Sequence, residues 1–411
     1  MVIQRPLRYQ YSLCHLISPM KAKSMATQEV FKHDESRSPA ALMSDQDIIA
    51  RIFDHIDNKT TDVGQSSWKE PTKNYQSAER LDAELALLRK RWIVFCPSAA
   101  LPKSGDYIAR DTAGIPLVVV RGSDGKVRAF RNACRHRGVQ VATGQGCANV
   151  FVCPYHGWSY GNDGALRSVP HKEGFPDLNK ENRGLVSVDC LEKNGLVFIK
   201  QDPSTNGVKD ETDLPDLIPD GCRVIKSETF EIEANWKLHL ESALEGYHIR
   251  STHQTTFFPV QYDNLTVVES FDQNSRIAFP YQTIEGLRDK PKSAWSTNGR
   301  ITFVYHLFPN IIISTFPDCM QVVILEPLGL ELTRQHMFLL SDCAEEGKKL
   351  DAILEGQEFA KAGAMEDREV VLGAQHGLKS GANEFLEFGL FESAIGRFHT
   401  ALTGELANSA S

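Results

Sequence analysis

The sequence predicts an α+β protein in which a small antiparallel β domain precedes a larger α+β domain, and three observations carry that expectation. Helical periodicity marks the N-terminal part, where apolar residues recur at helical spacing in 45–56 and again in 77–91 through Leu81, Leu85, Leu87 and Leu88. Short β-rich runs separated by Gly, Asn and Asp then take over, beginning with IPLVVVRGSDGKVRAFRN, whose two runs flank the hairpin signal Ser123-Asp124-Gly125. Beyond DPSTNGVKDETDLPDLIPDG (202–221), rich in Pro, Asp and Gly, strand and helix patterns mix.

The elements follow in order. Residues 1–44 are expected as a disordered or presequence-like tail: Met1 to Gln28 contains Arg5, Arg8, Lys21 and Lys23 with no acidic residue, and Met20 and Met25 are alternative starts. A helical segment occupies 45–89. The β domain at 90–203 takes further strands at Val150–Cys153, Ser159–Tyr160 and Gly195–Lys200, with a turn at Gly161-Asn162-Asp163-Gly164. A linker at 204–222 leads to 223–405, where SETFEIEA is a strand running into a helix that opens near Asn235. Strands around Val267, Ile277, Ile301–Leu307 and Ile311–Leu325 and a helix over Leu350–His376 complete this half.

Composition limits the function. The chain has 411 residues, 41% hydrophobic and 24% charged, enough for two or three domains with real cores. A formal net charge of −8, with no long Lys/Arg block, argues against nucleic-acid binding. No run approaches the roughly 20 apolar residues of a membrane span, and mean hydropathy is −0.30. Nine scattered cysteines, an odd number, do not form a disulfide framework. A soluble enzyme of a reducing, cytoplasmic compartment is expected, with organelle import through the basic N-terminus as the lesser alternative. The triplets Asn58-Lys59-Thr60 and Asn264-Leu265-Thr266 are read as chance glycosylation matches.

The stretch CRHRGVQVATGQGCANVFVCPYH (134–156) holds the first candidate site. Cys134 and His136 form a C-x-H pair, and Cys153 and His156 a C-x-x-H pair sixteen residues later. Folding the hairpins delivers one Cys and one His from each of two loops, a symmetric set suited to a dinuclear target. A [2Fe–2S] centre with two histidines on one iron uses that set, at a potential of roughly −150 to +300 mV. Cys134 and Cys153 would hold one iron, His136 and His156 the other. Gly138 and Gly157 let the backbone crowd the cluster, Pro154 stiffens the second loop and Trp158 packs beneath. The alternatives are a structural zinc, whose usual C-x₂₋₄-C and H-x₃₋₅-H spacings do not fit C-x-H, and four unrelated buried residues. Cys147, between the pairs, is a plain thiol.

The second candidate site lies in ANWKLHLESALEGYHIRSTH (234–253). Glu245 and His248 are three apart and share a helix face, with Glu241 one turn earlier. His253 is five past His248, about 140° off that face in a regular helix. The helix must therefore widen or break near Ser251-Thr252 for both imidazoles to reach one metal. Two histidines and a carboxylate with open positions form the facial arrangement of mononuclear non-haem Fe(II) oxygenases, although a lone His pair on a helix is more often structural.

Together, CRHRG…CPYHGWSY and the Asn-Trp-Lys…Glu…Tyr-His…His pattern resemble the Rieske non-haem iron oxygenase α subunits, the aromatic-ring-hydroxylating family, over about residues 80 to 400. The resemblance implies a Rieske domain followed by a helix-grip (START-like) catalytic domain with a curved antiparallel sheet. It implies a third iron ligand in MEDREVVLGAQHGLKSG, namely Asp367, with Gln375, Gly377 and Leu378 behind it and Glu366 as the alternative ligand. It gives Glu245, commonly Asp in the family, the role of bridging a cluster histidine on one subunit to an iron-ligating histidine on its neighbour in a homotrimer. Some members with Glu there act on quaternary ammonium compounds.

Implied cofactors are the [2Fe–2S] cluster, mononuclear Fe(II) and O2. NAD(P)H electrons would enter through a separate reductase, sometimes with a ferredoxin, since the chain lacks a Gly-rich dinucleotide fingerprint. The substrate is a small organic molecule, aromatic or quaternary ammonium, to be hydroxylated or oxidatively demethylated. Phe257, Phe258, Tyr262, Phe279, Tyr305 or Phe316 would supply the aromatic faces a cation requires, or serve in aromatic hydrocarbon catabolism. The competing function is a non-catalytic electron carrier with an attached ligand-binding domain, which would keep the four cluster residues but have no need of Glu245, His248, His253 and Asp367.

Overall fold

Two seven-stranded antiparallel sheets organise the chain in a computed structural model that describes residues 42–203, 214–342 and 347–410. The tail expected at 1–44 therefore lies outside the described residues up to residue 41, and the expected linker does so over 204–213. The first sheet runs in the order Ile93–Pro97, Leu196–Lys200, Ser187–Lys193, Val127–Arg131, Ile115–Arg121, Asp106–Thr112, Gly144–Cys147. A three-stranded sheet of Val150–Val152, Ser159–Gly161 and Leu166–Ser168 accompanies it. The second large sheet runs Arg223–Ile232, Leu332–Ser341, Cys319–Gly329, Ile311–Phe316, Ile301–Leu307, Asn274–Pro280, Val267–Phe271.

Among the described residues, seven α-helices follow in chain order: α1 (Asp45–Asn58), α2 (Lys73–Gln76), α3 (Ala78–Lys90), α4 (Trp236–Ser242), α5 (Ile249–Thr252), α6 (Lys348–Leu378) and α7 (Ser393–Ala410). The second sheet is covered on both faces, and strand alternation sorts its side chains between them. Ala278, Tyr305 and Ile313 face the core shared with Ile49 and Phe53 of α1 and with Ile93 and Phe198 of the first sheet. Ile277, Phe279 and Val304 face Trp236 and Leu240 of α4 and Phe398 of α7.

Several elements differ from the sequence reading. The run expected as one strand over 311–325 is two, turning at Pro317-Asp318, where Asp318 takes a φ of 59°. Leu332–Ser341 gave no period-two signal because it is buried on both faces over most of its length. Trp68–Pro71 pairs with Phe385–Phe388, a contact across more than 300 residues that local pattern cannot reveal. The C-terminal helix α7 runs past residue 405.

The triplet Asn235-Trp236-Lys237 anchors α4, each residue in its own way. Asn235 caps the helix by accepting from Lys237 N at 3.1 Å, and its backbone N–H donates to Gln375 Oε1 of α6 at 2.8 Å. Trp236 Nε1 donates to Glu84 Oε2 at 2.9 Å, and Lys237 Nζ reaches both oxygens of Glu84 at 2.8 and 2.9 Å. Glu84, on α3, and Lys237 are each 1% exposed, and Arg80 Nε adds a bond to the same carboxylate at 3.0 Å. Burial pulls the Lys237 ammonium below its ordinary range, and Glu84 opposes that shift. Removing one partner strands the other without water, at a cost of about 3 to 5 kcal/mol. Glu84→Gln is therefore expected to lower the thermal midpoint sharply, and Glu84→Gln with Lys237→Met to recover most of the loss, as read by thermal unfolding of the two variants. A double variant no more stable than the single one would contradict this account.

Candidate metal centres

The first centre is made by two loops with the same hydrogen-bond closure. Cys134 N donates to Val139 O at 2.8 Å while Gly138 N donates to Cys134 O at 2.9 Å; Cys153 N donates to Trp158 O at 2.8 Å while Gly157 N donates to Cys153 O at 3.0 Å. Gly138 and Gly157 hold φ of 80° and 72°, so each closes its loop in the left-handed region that other residues avoid. The role expected for these glycines, close approach to a cluster, is thus joined by a plain backbone requirement. Two residues the sequence reading passed over support the loops. Asn132 Oδ1 accepts from Val141 N at 2.9 Å and Ala142 N at 3.2 Å, pinning the first loop. Tyr160 OH accepts from Arg135 N at 2.9 Å and lies 3.2 Å from Cys134 Sγ.

The four side chains come together in pairs. Burial, and then the hydrogen bond with Cys134, push the Cys153 thiol up. The rings of His136 and His156 lie 4.5 Å apart, and Trp158 stacks on His136 at 4.9 Å with a 9° interplanar angle. The cysteines are buried at 4% and 2% exposure, whereas His136 is half-buried and His156 exposed. The thiols therefore point inward and the imidazoles outward. Among the described residues, the one group whose metal-binding atoms all lie within 4.8 Å of one another is elsewhere in the chain. Two separated pairs fit a dinuclear cluster and not a single zinc ion. Cys147 sits exposed on the edge strand of the first sheet.

That other group is His248, His253 and Asp367. His248 Nε2 lies 3.1 Å from His253 Nε2, and Asp367 Oδ1 is 3.2 Å from the first and 3.0 Å from the second. The backbone achieves this differently from the sequence expectation. Glu245 and His248 do not share a helix face: α4 ends at Ser242, and the chain turns through Glu245 before α5 begins after His248. One break thus precedes His248, and a second falls where expected, since α5 ends at Thr252 with His253 as its non-helical cap. The cause of the first is local, because Glu245 Oε2 accepts from the backbone N–H of Tyr247 and of His248, bonds that compete with helix continuation.

Each imidazole has a carboxylate behind it. Glu245 Oε1 accepts from His248 Nδ1, and Glu366 Oε2 accepts from His253 Nδ1 at 2.8 Å. With both Nδ1 atoms engaged, both Nε2 atoms are left to face Asp367, the arrangement that orients histidine toward a metal. Glu366 also accepts from Thr256 Oγ1 at 2.5 Å and Thr255 Oγ1 at 3.2 Å. It backs His253 and takes no part in the group of three.

Burial opposes charge on Asp367, yet the two imidazoles hold its carboxyl below the usual range; burial likewise opposes protonation of His248, yet Asp367 and Glu245 lift it to about 10. Asp367 Oδ1 is buried without a hydrogen bond in usable geometry. A cation between the three groups supplies the missing partner and competes with the imidazole proton. The residues present therefore fit a mononuclear metal.

The aromatic residues expected near a substrate divide. Phe257, Phe258 and Phe279 pack on the core that holds α4 and α5, and Phe257 lies 4.6 Å from the His253 ring. Tyr262 and Tyr305 belong to the core on the opposite face of the sheet. Phe316, like Leu350, packs against the cluster of Cys319, Leu339 and Ile353 near the start of α6, about 20 Å along the helix from Asp367. The two donor sets differ in softness and number, so anaerobically purified protein is expected to carry about three irons per chain. Reduction should produce the rhombic EPR signal of a His-ligated cluster, and a zinc-only protein without visible absorption would contradict this.

Comparison with known proteins gives the same division. The Rieske [2Fe-2S] domain model matches residues 91–192, and the ring hydroxylating alpha subunit (catalytic domain) model matches 219–406. The chain is 30% identical over 373 residues to the carnitine monooxygenase oxygenase subunit of Escherichia coli (strain K12), spanning 82% of this chain and 94% of that relative. It is 26% identical over 296 residues to the chloroplastic choline monooxygenase of Spinacia oleracea, spanning 69% of this chain and 64% of that relative. The crystal structure of the quaternary ammonium Rieske monooxygenase CntA in complex with L-carnitine aligns with a TM-score of 0.70 at 25% identity, covering 88% of this chain and 98% of that one. Naphthalene 1,2-dioxygenase from Rhodococcus sp. bound to indole aligns at 0.69 with 18% identity over 89% and 98%, a likeness of fold alone. With a relative matched across most of both chains and the two family models in the order of the two centres, the chain belongs to the Rieske non-haem iron oxygenases, as an oxygenase subunit that uses a Rieske [2Fe–2S] cluster and a mononuclear iron with O2.

Proposed function

We propose that this chain oxidises a quaternary ammonium compound, breaking or hydroxylating at a carbon next to nitrogen, with electrons delivered by a separate NAD(P)H-dependent reductase. The observation that carries the catalytic part is the convergence of His248 Nε2, His253 Nε2 and Asp367 Oδ1 with a carboxylate behind each imidazole. The substrate class rests on the relatives, named for carnitine and choline, on Glu at position 245, and on aromatic rings beside His253. Catabolism of aromatic hydrocarbons has less support, since the relatives matched over most of this chain are named for carnitine and choline.

In this reading Cys134 and Cys153 hold one iron of the cluster and His136 and His156 the other, while His248, His253 and Asp367 hold the mononuclear iron. When bound, the cluster stores one electron at a time and the mononuclear iron activates O2 next to the substrate. The protein contributes orientation. Glu366 and Glu245 fix the two imidazoles with Nε2 inward, and three protein ligands leave positions for O2. A non-catalytic carrier has no use for such a group.

Glu245 is the candidate link between the centres, in a cyclic homotrimer whose subunits exchange electrons. Its carboxylate holds His248, and next to it stand exposed Tyr247 at 60% and Phe391 at 39%, their rings 5.7 Å apart. The exposed imidazole end of the first centre, flanked by Tyr155 at 51%, is the complementary surface.

Three variants test these roles separately. Asp367→Ala is expected to abolish product formation with the cluster spectrum intact, because it removes one of three ligands to the mononuclear iron; activity surviving in both Asp367→Ala and Glu366→Ala would end the assignment. Glu245→Gln should keep the cluster and most of the mononuclear iron yet slow oxidation of the prereduced cluster, with substrate and O2, by about a hundredfold or more. Rapid-mixing absorbance measures that step, and a wild-type rate would leave Glu245 as a structural carboxylate.

A further inference from the structure

The geometry points to Phe257, seated in a notch made by Gly363, as a specificity-determining residue whose ring is the wall against which the methylated ammonium group lies. The inference rests on the substrate class proposed above and deepens it. Phe359, Gly363 and Asp367 stand four residues apart and share one stripe of α6. Gly363 thus opens a gap between a ring and the carboxylate that faces the two histidines. The Phe257 ring fills that gap. A Cβ added at Gly363 would fall 2.2 Å from Phe257 Cζ, 2.5 Å from Cε2 and 2.9 Å from Cε1, well inside contact distance.

The gap is particular to this position. α6 carries four glycines, and a Cβ at Gly356, Gly373 or Gly377 would meet nothing within 4 Å. Glycine is disfavoured in helix interiors, and at 363 the close approach of the ring accounts for it. From this seat the ring lies between two others: it is 4.6 Å from the His253 ring and 5.7 Å from the Phe359 ring, at 56° and 70° to them. Phe257 is only half-buried and Phe359 is 41% exposed, so the two rings are not sealed into the core. Two inclined aromatic faces, one of them beside His253, are what a methylated cation can use and what a neutral group of equal shape cannot exploit.

The test uses the holoenzyme with its reductase and compares carnitine, choline and glycine betaine with their uncharged tert-butyl isosteres, scoring KM and kcat separately. Calorimetric Kd values without reductant give a second readout. Phe257→Leu should reduce the preference for cation over isostere about tenfold, with cluster and iron contents unchanged. Gly363→Ala should raise KM by about tenfold or more as the ring is pushed from its seat. Phe257→Leu with Gly363→Ala should return KM to within about threefold of Phe257→Leu alone, since the smaller side chain vacates the notch. An unchanged preference in Phe257→Leu, or losses that simply add in the double variant, would overturn the proposal and leave a packing role. Turnover of none of the three cations by the wild type would instead bring down the substrate class itself, and the proposal with it.

Discussion

Two imidazole nitrogens can face one carboxylate oxygen only if something holds the opposite side of each ring, and this requirement governs the architecture of the catalytic half. Glu245 holds His248 from within the same turn, but Glu366 holds His253 from α6, 113 residues away. The turn after α4 and the middle of α6 must therefore keep a fixed separation. The Asn235 N–H donating to Gln375 provides one fastening, about two helical turns beyond Asp367 along α6. Thr256 and Thr255 bonding to Glu366 provide another, so the same carboxylate that orients His253 also ties down the chain that follows it.

What lies beneath α4 is more polar than an anchoring surface needs to be. Tyr75 OH donates to Glu241 Oε1 at 2.7 Å, His399 Nε2 lies 2.9 Å from the same oxygen, and Glu70 approaches the other side of His399 at 3.4 Å. Tyr75, Glu70 and His399 are all at most 1% exposed. Such groups are costly unless paired, and paired they admit few alternative packings. Tyr75, Glu70 and Glu84 come from the segment before residue 91, outside both matched family models. The N-terminal segment is thus part of the catalytic half in space, though it precedes the cluster loops in sequence.

The cluster loops were the most legible part of the sequence because their ligands, their turn glycines and Trp158 lie within about two dozen residues, and the hydrogen bonds that close each loop span four or five. Asn132 and Tyr160 escaped notice for a different reason: each acts through a bond that any Asn or Tyr can make, so residue type alone carries no signal. In the second site, residue identities could be read but the backbone could not. A helix through Glu245 was the natural reading of the local pattern, and it failed because a carboxylate two and three residues before available N–H groups can satisfy them itself. The strand pairing of 68–71 with 385–388 and the Glu84–Lys237 pair had no local trace at all.

The adjacent acids of α6 make clear why the sequence reading carried Glu366 as an alternative to Asp367. Glu366 and Asp367 differ by one residue, or about 100° of helix, and by one methylene in reach. Both contact His253, yet on opposite nitrogens, Glu366 on Nδ1 at 2.8 Å and Asp367 on Nε2 at 3.0 Å. The imidazole is clasped between consecutive carboxylates. Helix geometry lets only one of them also face His248, and the shorter side chain, standing 3.2 Å from His248 Nε2, is that one. The longer one reaches past it to the threonines at 255 and 256. A single step of register along α6 would exchange the carboxylate that faces both imidazoles for the one that backs His253, so the pairing of α6 with α4 through Asn235 and Gln375 decides more than packing: it selects which carboxylate completes the group of three.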